Sequence, residues 1–116
     1  MVNEKLFQMS IGKIYPMYIQ KIERKNHTKS ELDQVITWLT GYNAQQLEEQ
    51  IDNEKTLQQF FNEAPQMNQN ASKITGVICG VKVQEIEDPL MQKIRYMDKL
   101  VDEVAKGKKM ENILRK

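Results

Sequence analysis

The side chains with chemical potential are few and scattered. One histidine, His27, and one cysteine, Cys79, stand far apart in a chain of 116 residues, each without a local partner. A zinc centre needs several Cys, His or carboxylate ligands at close spacing, and a cysteine nucleophile needs a nearby base. His27 reads as a solvated loop or cap residue ahead of a helix. Cys79 reads as a small buried hydrophobe, because it sits inside an apolar run. The chain has no phosphate-cradling glycine loop, dinucleotide fingerprint or nucleophile elbow. Carboxylates are plentiful, but Glu48-Glu49-Asp52 and Asp98-Asp102-Glu103 read as solvated helix faces. Asp98 and Asp102 share one side of a helix, as a hard-metal site would require. Arg95, Lys99 and Lys106 interleave them at ion-pair spacing, so surface pairs are expected instead. No catalytic, cofactor-binding or metal-binding residue is assigned.

Aromatic side chains offer a different chemistry. Trp38 and Tyr42 flank Gly41, and Tyr15 is a further amphipathic ring on a helical stripe. Such rings usually build core, yet their polar tips seek water or a partner. If the chain holds a small-molecule pocket, Tyr15, Trp38 and Tyr42 are its candidate lining. A second candidate contact is a notch formed by Gly76 and Gly80, which on a helix would lie four residues apart on one face.

These side chains must be positioned by helices. Ser10 is a candidate N-cap, but Pro16 would interrupt a helix running on from it. The favoured solution is a short turn followed by a helix over about 16–25, with Pro16 in its first turn. Thr28 with Glu31 forms a capping box, Leu32, Val35, Ile36 and Leu39 give the buried face, and Gly41 supplies the stop. Asn43 with Gln46 and Thr56 with Gln59 repeat the capping pattern before two short helices, the second closed by Pro65. Gln66 to Asn70 carries no periodic signal and is expected to be a loop.

Residues 71–86 fit helical and strand periodicity equally. A strand needs a partner strand, and none is evident elsewhere, so helix is preferred with strand as the alternative. Asp88-Pro89 then starts the clearest helix of the chain. Its seam is Leu90, Ile94, Met97, Val101 and Val104, widened by Leu100, and Gly107 ends it. Met110, Ile113 and Leu114 make one last apolar turn, which folds back on the core or clasps a second subunit. The expectation is an all-α single domain, 1–116, of five or six short-to-medium helices packed as a bundle.

Composition agrees. Hydrophobic residues make up 40% and charged residues 28%, an ordinary globular balance. Net charge is +1, so nothing global points to nucleic acid or anionic membrane. The charge is uneven: six basic and two acidic residues over 1–30, one and seven over 31–64, and ten and seven over 65–116. The second and third helices resemble a helix-turn-helix, but the would-be recognition helix carries Glu48, Glu49 and Asp52, which repel phosphate. Nucleic-acid binding is therefore disfavoured, with a basic face around Lys21, Arg24, Lys25 and Lys29 as its remaining route. The early Glu4 and broken apolar pattern argue against a signal peptide, and no stretch reaches the length of a membrane span. A lone cysteine fits a reducing compartment, so a cytoplasmic protein is expected.

Four strings, IYPMYIQKIERK, TKSELDQVITWLTGY, APQMNQNASKITGVICGVKV and EIEDPLMQKIRYMDKLVDEVAKGKKMENILRK, resemble the bacterial proteins grouped as domain of unknown function family 2200. The likeness covers about residues 7–116. It implies a bacterial cytoplasmic protein in a single-domain family and brings no activity, cofactor or catalytic residue. The functional expectation is a non-catalytic binding or protein-interaction module that self-associates as a homo-oligomer, on the strength of the glycine notch, the heptad-like seam of the helix after Asp88 and the Met110–Leu114 turn. The alternative is a small enzyme or small-molecule binder at Tyr15, Trp38 and Tyr42.

Overall fold

In the computed structural model, which describes residues 2–78 and 80–115, seven α-helices and one small hairpin follow one another among the described residues. They are α1 (Val2–Phe7), α2 (Ile11–Glu23), α3 (Lys29–Thr40), α4 (Ala44–Asp52), α5 (Leu57–Asn62), α6 (Pro89–Ala105) and α7 (Met110–Ile113). Strands β1 (Val77–Ile78) and β2 (Val81–Lys82) lie between α5 and α6, with a 3-10 turn on either side, at Gln69–Lys73 and Val83–Glu85. The architecture is mostly α, as expected.

The predicted caps form as read. Thr28 accepts from the Glu31 amide while Glu31 accepts from the Thr28 amide, and the Asn43/Gln46 and Thr56/Gln59 pairs do the same. Asp88 accepts from the Met91 amide with Pro89 at the first helical position. The seam of α6 is filled from within the chain. Ile94, Met97, Leu100, Val101 and Val104 are all buried, packed against α2, α3 and α5. Ile113 is buried and Met110 and Leu114 lean on the same core, so the last apolar turn folds back.

Two expectations are corrected. The helix placed at about 16–25 begins at Ile11 and runs through Pro16. Ser10 caps it by accepting from the Lys13 amide at 3.2 Å. A pair of backbone bonds, Ile11 N–H to the Lys55 carbonyl at 2.7 Å and Leu57 N–H to the Met9 carbonyl at 2.8 Å, ties the start of α2 to the start of α5. A helix-interior proline costs about 3 kcal/mol. Burying Ile11, Ile14 and Tyr15 on the first two turns returns about 1.5–3 kcal/mol for each large apolar side chain, so the longer helix wins. Gly12 lets α2 lie close to α4, since a Cβ there would sit 2.9 Å from the Ile51 carbonyl oxygen.

The second correction is the stretch 71–86, which is not a helix. Val77 pairs with Lys82 and Ile78 with Val81 in an antiparallel register, so the missing partner strand lies inside the stretch itself. The Val83 amide extends the ladder to the Gly76 carbonyl at 2.9 Å. Gly76 at φ +114° and Gly80 at φ +80° hold backbone conformations that a right-handed helix forbids. Cys79 lies outside the described residues. No helix among the described residues is long and apolar enough to cross a membrane.

Candidate functional site

The outer face of α3 carries Asp33, Gln34, Thr37 and Trp38, a spacing that puts them on adjacent turns of one side. With Tyr42, Ala44 and, from the far end of the chain, Leu114, they border an open cleft of about 570 Å³. A second hollow of about 210 Å³ sits beside it, lined by Tyr15, Lys29, Leu47 and Glu48. Asp33 and Ala44 belong to both. The three aromatics read from the sequence are thus neighbours, but they do not converge. Trp38 and Tyr42 face one hollow and Tyr15 the next.

Tyr42 contributes an edge and no free hydroxyl. It is 5% exposed, its ring packs 4.9 Å from that of Phe60, and its hydroxyl donates to the Phe60 carbonyl at 2.6 Å. That bond satisfies a carbonyl in the last turn of α5, where helix geometry supplies no amide. Burial, with a smaller contribution from Glu63, pushes the Tyr42 phenol up to about 12.

Asp33 is the residue that sequence reading missed here. Its Oδ1 accepts from the Tyr15 hydroxyl and its Oδ2 from Lys29 Nζ at 2.8 Å, while that ammonium stands 5.9 Å from the Tyr15 ring centroid. The signal in the sequence is the Lys29–Asp33 spacing of four on a helix; the Tyr15 contact has no local signal. Burial first, then the bond to Asp33, raises the Tyr15 phenol far above its ordinary range. The trio is a closed hydrogen-bonded unit. Tyr15 stays protonated, and both oxygens of Asp33 are engaged, so neither group is set up to move a proton. Thr37 likewise donates its hydroxyl to the Gln34 carbonyl at 3.2 Å, and Asn43 spends its side-chain oxygen on the Gln46 amide at 2.7 Å. What the cleft offers is apolar surface from Trp38 and Leu114, edged by the Gln34 side chain.

The remaining candidates fall elsewhere. Gly76 and Gly80 are hairpin residues and form no helical notch; a Cβ at Gly76 would meet Lys99 Cε at 3.1 Å, whereas Gly80 faces open space. His27 Nδ1 lies 3.1 Å from Glu31 Oε2, inside the capping box of α3. The Thr28 amide first, then His27, hold the Glu31 carboxyl below the usual range. Asp98 is engaged by Tyr18 and by Arg95 at 2.6 Å, and Asp102 by Lys21 and Lys106 at 3.2 and 3.0 Å. No group of three metal-type ligands occurs among the described residues. Glu103 departs from its reading as a solvated residue. It is 6% exposed and gripped by Arg115 in two bonds of 2.6 and 2.8 Å.

The family model described as an uncharacterized protein conserved in bacteria, domain of unknown function 2200, matches residues 5–115. The chain belongs to that family. The fold of the chain is also that of a crystal structure described as uncharacterized protein SP1917, at 43% identity and a TM-score of 0.90, covering 96% of this chain and 91% of the other. No curated protein matches. Family membership therefore supplies the fold, and the reading of the site rests on its geometry.

Proposed function

We propose that this member of the family is a cytoplasmic, non-catalytic binding module that self-associates through the Trp38 face. The observation that carries the reading is the placement of Trp38, the chain's single tryptophan. It forms a wall of two neighbouring clefts, of about 570 and 410 Å³, one towards Leu114 and one towards Pro65 and Gln69. Trp38 is half-buried, packed on the core with one edge on each cleft, and a two-fold axis would set the same patch of a second copy against it. Tryptophan is also the side chain most often found at the energetic centre of an interface. The engaged state of Asp33 and Tyr15 favours holding a partner over acid–base work.

The seam of α6 and the Met110–Leu114 turn supply no contact for a second copy, because both are used within one chain. The test is sedimentation velocity from 1 to 100 μM, with Trp38 emission followed on dilution. A concentration-dependent dimer, lost in Trp38→Ala, is the expected result. A clean monomer at tens of micromolar removes the reading.

A small-molecule site in the same open cleft is the second reading, favoured by the apolar surface of Trp38 and Leu114 beside the polar Gln34 and Asn43. A thermal-shift screen of metabolites separates the two. A stabiliser whose effect is lost in Trp38→Ala, in a chain that stays monomeric, supports the second.

A further inference from the structure

The cleft between the C-terminal ends of α2 and α6 is a separate feature. Lys21, Arg24 and Lys25 come from α2 and the residues just past it, and Asp102, Ala105 and Lys106 from α6. Together they border a half-open cleft of about 520 Å³. Asp102, whose side chain is 14% exposed, holds Lys21 and Lys106 from opposite sides at 3.2 and 3.0 Å. Arg24 and Lys25 are exposed, and neither pairs with a carboxylate among the described residues. The plainest account of basic groups at helix C-termini is that they answer the helix dipoles. It does not account for all of them. Two helix C-termini amount to about one negative charge, and Asp102 adds one more. Four cations therefore leave an excess of about two.

We propose that this cleft binds a small molecule carrying a diphosphate or triphosphate group. Two cations are pre-positioned by a shared, partly buried carboxylate, so little side-chain freedom is lost when an anion arrives. Arg24 supplies the planar fork that matches phosphate oxygens in two bonds, and the lysines act as point charges around it. A chain of phosphates suits the charge excess better than a single one. The walls contain no aromatic ring on which a base could stack, and the cleft lies between two helix ends, with no basic track leading from it among its lining residues. Both features oppose single-stranded nucleic acid, which needs stacking platforms and a continuous basic groove. The Trp38 face takes no part, so this proposal stands apart from the self-association above.

The test is calorimetric titration of the full chain with inorganic triphosphate, diphosphate and monophosphate at low salt. Affinity should rise at least tenfold from monophosphate to triphosphate and weaken as salt is added. Arg24→Gln and Lys25→Gln should each weaken triphosphate binding by about tenfold, with an unchanged melting temperature, since both side chains are exposed. Lys106→Gln should weaken it as well, and the distant, exposed Lys13→Gln should not. Absence of a saturable signal at millimolar triphosphate overturns the proposal. So does binding indifferent to Arg24→Gln and Lys25→Gln, or a twenty-nucleotide single strand that binds more than tenfold tighter than triphosphate and loses that affinity in the same variants.

Discussion

Arg115→Ala tests how the end of the chain is fastened. Glu103 lies in the last turn of α6, where the helix dipole opposes a negative charge, and its side chain is 8% exposed. Arg115, 13% exposed, meets both carboxylate oxygens and also donates to the Ile113 carbonyl at 2.6 Å. Removing one partner of a buried pair costs about 3–5 kcal/mol, because a desolvated charge is left alone. Lys108, 3.5 Å from Glu103 Oε2 with a side chain 42% exposed, offsets part of that. The expected loss is therefore about 2–3 kcal/mol. For a domain of this length that lowers Tm by roughly 8–12 °C. Urea and thermal denaturation of Arg115→Ala, Glu103→Gln and a paired Glu103→Gln/Arg115→Met chain measure it. The paired variant carries no buried charge and should be more stable than Arg115→Ala. A loss below about 0.5 kcal/mol, the worth of an ordinary exposed pair, would refute burial as the source of the effect.

Other outcomes follow from the same geometry. Tyr42→Phe removes the bond to the Phe60 carbonyl and should cost about 1–2 kcal/mol in chemical denaturation. The folded chain holds the Tyr42 proton up to about 12, whereas an unfolded tyrosine releases it near 10. Stability should thus fall as pH rises from about 10 to about 12, less steeply in Tyr42→Phe; equal slopes would exclude Tyr42 as a contributor. Gly41→Ala should destabilise by more than about 2 kcal/mol, since the left-handed backbone alone costs about 1–2 and the new Cβ would lie 2.7 and 2.8 Å from the Gln66 carbonyl oxygen and amide nitrogen. Gly80→Ala has a similar φ of +80° but open space around it, so it should cost only about 1 kcal/mol; equal losses in thermal melts would contradict the clash. For Asp102, burial raises the carboxyl, and the bonds from Lys106 and Lys21 outweigh it, leaving the group below its ordinary value. Its contribution is present above an unfolded value near 4 and is lost as pH falls through the lower folded one. The stability gap between the native chain and Asp102→Asn should therefore close between about pH 5 and pH 2; a gap independent of pH refutes it.

Much of the local structure was legible because its causes lie within a few residues. The capping pairs Thr28/Glu31, Asn43/Gln46 and Thr56/Gln59, the Asp88-Pro89 start and the Gly41 stop each involve partners three or four positions apart. The apolar stripe of α6 was legible for the same reason, since helical spacing alone says which side chains share a face. The hairpin was not legible in this way, because strand and helical periodicity coincide over residues 71–86 and the partner of Val77–Ile78 lies four residues on, inside the same stretch.

The candidate site was only half visible. Tyr15, Trp38 and Tyr42 do lie in one region, but the carboxylate between their clefts, Asp33, is defined by a contact with Tyr15 that spans eighteen positions. Leu114 reaches the cleft from the opposite end of the chain. The basic cleft likewise joins α2 to α6, and Asp102 counts as more than a surface carboxylate only once Lys21 stands against it.

By itself, then, the sequence determined the helical class, the family, the caps and the buried faces, all consequences of short-range hydrogen bonding and period. Tertiary structure alone decided that α2 runs through Pro16, that Glu103 is buried against Arg115, and that the aromatics are split between two hollows. Each of those outcomes balances a local cost against apolar burial or ion pairing with a residue distant in the chain, and that balance exists only when the helices are packed together.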